Sequence, residues 1–200
     1  MEKASLSSRK FRIEKDSIGE VQVPYDVYYG SFTTRALENF QISNTKAPTA
    51  FKKSLALIKK AGAMTNEELQ TLDSKKSKAI QKAADEMIGG KFDKDFQLDI
   101  FQAGAGTPFH MNTNEILANR ANEILGGKKG TYEFVHPNNH VNMSQSSNDV
   151  IPTAIRLTML LLEPSLIKSG KNLINALQKN SKEFKKILKT GRTHLQDAVP

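Results

Sequence analysis

From Asp149 onward, apolar and small residues recur in steps of three and four: Ile155, Thr158, Leu162, Leu166, Ser169, Leu173, Leu177, Asn180, Phe184 and Ile187. Side chains so spaced line one face of an α-helix. A helix of about 40 residues would be roughly 60 Å long, far more than a small domain needs. The stripe reads as the seam of a helical bundle, which requires partners of similar length that the rest of the chain does not supply. Pro164 falls inside it, and because the phase is kept on both sides a kink is expected there rather than a break.

The preceding sequence carries shorter elements. Phe11–Glu14 and Glu20–Val23, joined through Ser17-Ile-Gly19, read as a small hairpin, with the first ten residues a frayed tail. Thr33 is a candidate cap for a short helix through Phe40. Pro48-Thr49 opens a stronger helix, whose residues Phe51, Leu55, Ile58 and Ala61 follow a 3.6-residue period with Ser54, Leu57 and Met64 at their flanks. Ser74 is a plausible N-cap for a helix with Ile80, Ala83, Ala84, Met87 and Ile88 that stops at Gly89-Gly90. A further helix carries Ile116, Leu117, Ala121, Ile124 and Leu125 up to Gly126-Gly127.

Composition removes several classes of function. With no cysteine, disulfide frameworks and thiolate metal sites are excluded, and the 4 histidines show no zinc spacing, so no metal is expected. No unbroken apolar run approaches bilayer length and the N-terminus lacks a signal-peptide core, which points to a cytoplasmic protein without a membrane partner. The net charge of +8 is spread through pairs such as Lys52-Lys53, Lys59-Lys60, Lys75-Lys76 and Lys185-Lys186. These read as solvated helix faces and not as a nucleic-acid surface.

Three segments are too rich in Gly, Asn, Ser and His to be core. They are Gln102–Thr107 with Asn112 and Asn114, His136–Asn142 running into Ser144–Asp149, and Gly191–His194. Each is expected beside a helix end. Ser146, Ser147 and Asn148 occupy the entry to the long helix, where free N–H groups and the dipole favour an anion. Taken singly, each segment has a bland reading as cap, turn or exposed histidine, and Gly104-Ala-Gly-Thr107 does not complete the dinucleotide fingerprint. Together they offer fixed neutral donors and an imidazole, suited to a carboxylate whose charge grows as a neighbouring carbon loses its proton.

The ordered motifs Gly104-Ala-Gly-Thr107, Met111-Asn-Thr-Asn-Glu115, His136-Pro-Asn138, Ser144-Gln-Ser-Ser-Asn-Asp149 and Gly191-Arg-Thr-His-Leu-Gln-Asp197 resemble the aspartase/fumarase superfamily, most closely class II fumarate hydratases. The resemblance runs from about Phe11 to Pro200. It implies a mainly α fold: a small N-terminal β-hairpin, an N-terminal lyase domain over 11–145, and over 146–200 the start of a central bundle of long helices. The sequence stops after Pro200 with no cap or tail, which reads as the front portion of a larger enzyme.

The resemblance further implies that Thr107, Ser146, Ser147, Asn148 and Thr193 bind a dicarboxylate such as fumarate or malate. His194 would handle the water side of a trans elimination through an aci-carboxylate. The basic serine would lie in a Gly-Ser-Ser-x-Met-Pro loop absent from this chain, and sites would be shared among subunits of a homotetramer, so the segment alone is expected to be inactive. His136, Asn138 and Asn139 would form a second anion site, although fumarases there often carry His-Pro-Asn-Asp and an upstream arginine where this chain has Asn139 and Glu133. Ala105 is aspartase-like, Met143 replaces a common lysine, and Ser147 is fumarase-like. Aspartate ammonia-lyase is therefore the alternative, and a non-catalytic helical interaction module the more remote one.

Overall fold

The computed structural model describes residues 10–199, so residues 1–9 of the expected tail and Pro200 lie outside the described part. The chain divides into two compact units, Met1–Met159 and Leu160–Pro200. The first opens with an antiparallel hairpin of β1 (Phe11–Lys15) and β2 (Glu20–Pro24), with Arg12 opposite Val23 and Glu14 opposite Val21. The expected hairpin is present. Its inward face is partly polar: Arg12 and Glu14 are buried, paired at 2.8 Å, and Arg12 also donates to the carbonyls of Pro24, Val27 and Tyr29.

Helix α1 (Ser31–Asn39) begins earlier than a Thr33 cap would allow, and Thr33 is fully buried inside it. Distant carboxylates do the capping. Glu115 accepts from the amides of Gly30, Phe32 and Thr33 at 2.9, 2.9 and 3.1 Å, and Glu14 accepts from Ser31 at 3.1 Å. Four orphan N–H groups of a helix start are thus met by two buried acids. Burial pushes Glu115 up to about 7 against the opposing pull of those amides.

Helices α2 (Thr49–Glu68), α3 (Ser74–Ile88) and α4 (Thr107–Ile124) pack in sequence order, α3 lying against both others. Small residues at the contacts, Ala56, Ala83, Ala84, Ala118 and Ala121, allow close approach, while Leu55, Ile80, Ile116 and Leu117 fill the core. The face of α2 is rotated from the expected one. Ala61 is exposed, Phe51 and Ile58 are half-buried, and Lys52, Ser54, Lys59 and Asn66 are buried. Lys52 and Lys59 are therefore not on solvated faces. The N-cap of α3 is Asp73, whose carboxylate accepts from the amides of Lys75 and Lys76, and Ser74 is the first helical residue. Gly90 and Gly126, with φ of 88° and 91°, follow the ends of α3 and α4 as left-handed stops.

Helix α5 (Ser147–Phe184) has 38 residues and continues through Pro164. Its first turns belong to the first unit, where Val150, Ile151, Ala154 and Thr158 are buried and Thr158 donates to Ser54 Oγ at 3.0 Å. In the second unit the stripe residues Leu162, Leu166, Leu173, Leu177 and Phe184 are exposed. Helix α5 is long and apolar enough to cross a membrane by length and composition. Arg156 and Glu163 interrupt its apolar residues, so no unbroken apolar run of bilayer length is present in it. The mainly α architecture with a small N-terminal hairpin is as expected from the resemblance.

Candidate functional site

Two helix starts meet in the first unit. Helix α4 opens at Thr107 after a tight turn over Gly104–Gly106, and α5 opens at Ser147. Thr107 Oγ1 donates to Ser147 Oγ at 3.4 Å. Both positive dipole ends are thereby brought to one place, the arrangement that favours a carboxylate or other anion. Gly106 makes the approach feasible: it has φ of 66°, and a Cβ there would lie 3.1 Å from Ile151 Cγ2. Ala105 is also left-handed, at φ 61°, a conformation that costs a non-glycine residue about 1 kcal/mol. Ala105, Ser147, Asn148 and Ile151 line a small open cleft of about 220 Å³.

The entry to α5 is a reciprocal cap. Ser146 Oγ accepts from the amide of Asn148 at 3.2 Å, and Asp149 Oδ1 accepts from the amide of Ser146 at 2.9 Å. Ser146 and Asn148 are exposed and Ser147 is half-buried. The capping reading of this segment and the anion-binding one are both compatible with the geometry, because Ser147 is not a member of the cap pair.

Behind Ser147 lies a buried polar chain. His110, on the first turn of α4, places Nδ1 2.8 Å from Ser147 Oγ. Its Nε2 is 2.6 Å from Nζ of Lys59, which also donates to Asn142 Oδ1 and Gln145 Oε1, each at 3.0 Å. Lys59 is 0% exposed. Burial pulls its ammonium down to about 7, with Asp149 working in the other direction. Burial, and then the charge of Lys59, hold His110 down to about 4 and so neutral.

A larger cleft of about 600 Å³ adjoins Thr107 and is lined by Ser31, Arg35, Met111, His136 and Asn138 among others. His136 Nδ1 accepts from the amides of Asn138 and Asn139 at 3.2 and 3.3 Å, capping the wide turn Pro137–Val141. Burial lowers the imidazole's pKa. Asn138 and Asn139 are exposed. Arg35 is turned to Asp16, with contacts of 2.8 and 3.0 Å.

Thr193 and His194 lie in the second unit. The segment expected beside a helix end is instead an antiparallel hairpin of β3 (Gly191–Thr193) and β4 (Gln196–Val199). His194 and Leu195 form its two-residue turn, with φ of 50° and 61°, as a type I′ turn demands. Both are exposed.

The structure thus brings Thr107 and Ser147 into contact, sets Ser146 and Asn148 on the same helix entry, and places His136 and Asn138 in a cleft shared with Thr107. Sequence reasoning missed His110 and Lys59. A signal existed for the first, since His110 stands three residues after Thr107 and so on the same face of α4. Among the described residues no group of three or more His, Asp or Glu side chains could hold a metal ion.

Residues 19–200 match the model of a lyase family. The class II fumarate hydratase of Thermosynechococcus vestitus is 48% identical over 190 residues, covering 94% of this chain and 41% of that protein. The mitochondrial fumarate hydratase of Saccharomyces cerevisiae is 50% identical over 193 residues, covering 95% and 39%. An aspartate ammonia-lyase of Bacillus subtilis is 47% identical over 192 residues, covering 96% and 40%. Among solved structures, a class II fumarase from Schistosoma mansoni superposes with a TM-score of 0.84 at 43% identity, covering 96% of this chain and 40% of that one. A structure described as fumarate lyase:delta crystallin from Brucella melitensis gives 0.86 at 46% identity, covering 94% and 43%. The chain spans about two fifths of the length of these relatives.

Proposed function

This chain belongs to the lyase family, and on that premise we propose that a full-length protein carrying it hydrates fumarate reversibly to L-malate. The observation that carries the reading is the meeting of two helix starts at the Thr107 and Ser147 hydroxyls. One carboxylate of the substrate sits there on the Ser147 amide and the two hydroxyls, with the Asn148 side chain adding an amide donor and Ser146 fixing the helix entry. As the carbon beside that carboxylate loses its proton, charge moves onto the carboxylate to give the aci form. Donors already aimed at it stabilise the charge without reorganising. His194 attends the carbon that gains or loses water, and Thr193 helps to bind the dicarboxylate. The serine that takes the proton belongs to the part of the protein beyond this segment.

The subunits are proposed to assemble as a homotetramer that completes each site, and the location is proposed as cytoplasmic. Neither a metal nor an organic cofactor enters the scheme. The 200-residue segment by itself is expected to turn over nothing. His136 and Asn138, which share a cleft with Thr107, are proposed to hold a second anion, with Asn139 at its edge.

Aspartate ammonia-lyase is a second reading, favoured by Ala105 in the Gly-Ala-Gly-Thr turn and by the Bacillus relative. Incubating the full-length protein separately with fumarate, malate and aspartate separates the two. Malate formed from fumarate supports the proposal, and fumarate formed from aspartate alone overturns it.

A further inference from the structure

We propose that Lys59 is a positioning residue for the dicarboxylate site, acting through His110 to fix the direction of the Ser147 hydroxyl. The inference rests on the reading of that site as one for a dicarboxylate. Lysine as an ammonium has three donors and no acceptor. At Lys59 three acceptors surround Nζ: His110 Nε2 at 2.6 Å, Asn142 Oδ1 at 3.0 Å and Gln145 Oε1 at 3.0 Å. The match of three donors to three acceptors favours the charged form and works against the burial that pulls the ammonium down to about 7.

The consequence propagates along the ring. If Nε2 of His110 accepts from Lys59, the neutral imidazole carries its proton on Nδ1. That N–H donates to Ser147 Oγ at 2.8 Å. Ser147 Oγ also accepts from Thr107 at 3.4 Å, so its lone pairs are occupied and its own proton is free to point at a bound oxygen. An imidazole of the other tautomer would accept the serine proton and remove that donor from the site. Asp149, on the first turn of α5, is the carboxylate that acts on both Lys59 and His110. It is bonded to the Ser146 amide and makes no hydrogen bond to either.

Two measurements test the relay. Neutron diffraction of the full-length protein should show three deuterons on Lys59 Nζ and one on His110 Nδ1. A deuteron on His110 Nε2 would overturn the proposal, whatever the protein's substrate proves to be. Kinetically, Lys59→Met should lower kcat/KM for fumarate by about 10- to 100-fold in the native background but by less than about 3-fold in a Ser147→Ala background, because the relay then has nothing to direct. Equal losses in both backgrounds would make Lys59 merely structural and refute the relay. If Lys59→Met does not fold, His110→Leu replaces it in the same cycle with the same two outcomes. A wild-type protein that turns over no fumarate sinks the functional reading instead, and the deuteron positions then decide the relay alone.

Discussion

Two asparagines of α4 are equally buried and should behave in opposite ways. Asn122 and Asn114 are both 0% exposed. Asn122 Nδ2 donates to the carbonyls of Ala118 and Val135 at 2.8 and 2.6 Å, and its Oδ1 accepts from the amides of Phe134 and Val135 at 2.9 and 3.2 Å. Asn114 has a single 3.5 Å contact with Met111 Sδ, and its Oδ1 has no partner. Truncating Asn122 to alanine strands the amide and carbonyl of buried Val135 and the amide of half-buried Phe134. At about 1–3 kcal/mol per stranded group, and with water relieving Phe134, the cost is about 3–5 kcal/mol. Asn114→Leu instead removes an unsatisfied group at similar volume, and should fall within about 1 kcal/mol of wild type or gain stability. Urea unfolding of the three proteins side by side measures both. Equal losses at the two positions would show that burial alone, and not hydrogen-bond satisfaction, governs these sites.

Glu86 is gripped by Arg120 through contacts of 2.6 and 2.9 Å and by Lys91 at 2.7 Å, which hold its carboxyl down from 4.5 to about 2. Because the folded value lies below the unfolded one, its stabilisation is complete above the unfolded value and fades as pH falls toward the folded one. With the side chain one-fifth exposed, Glu86→Gln should cost about 1–2 kcal/mol at neutral pH. The gap from wild type should shrink markedly near pH 3 in the same unfolding assay; a pH-independent gap would contradict the ion-pair origin. At Gly30 an added Cβ would meet Tyr132 Oη, with Glu14 Oε2 at 2.6 Å and Glu115 Oε1 at 2.9 Å. Gly30→Ala should therefore cost more than about 2 kcal/mol in thermal or urea unfolding, by prising apart the acids that cap α1.

The elements legible in the sequence are those specified by neighbours in the chain. The β1–β2 hairpin follows from alternation and its glycine turn, the start of α2 from Pro48, and the stops of α3 and α4 from glycines that adopt positive φ. What escaped depends on residues far away. Thr33 reads as a cap because nothing local reveals that Glu115 performs that role. Lys59 looked like one of a solvated pair, since its acceptors Asn142 and Gln145 come from a loop more than eighty positions later. The β3–β4 hairpin was hidden because its turn uses His194 and Leu195 where such turns favour Asn-Gly. For the candidate site, Thr107 and the Ser146–Asn148 entry were visible as donor-rich segments at helix starts. The buried lysine and histidine behind them were not, because one side chain's burial depends on the other.

A crystal structure of the full-length protein with malate bound is the most direct test of the two-helix carboxylate cradle. One malate carboxylate should accept hydrogen bonds from Ser147 Oγ and the Ser147 amide, beside Thr107, with a His194 imidazole facing the hydroxyl-bearing carbon. Malate bound elsewhere, with the Thr107–Ser147 junction left to solvent, would contradict it.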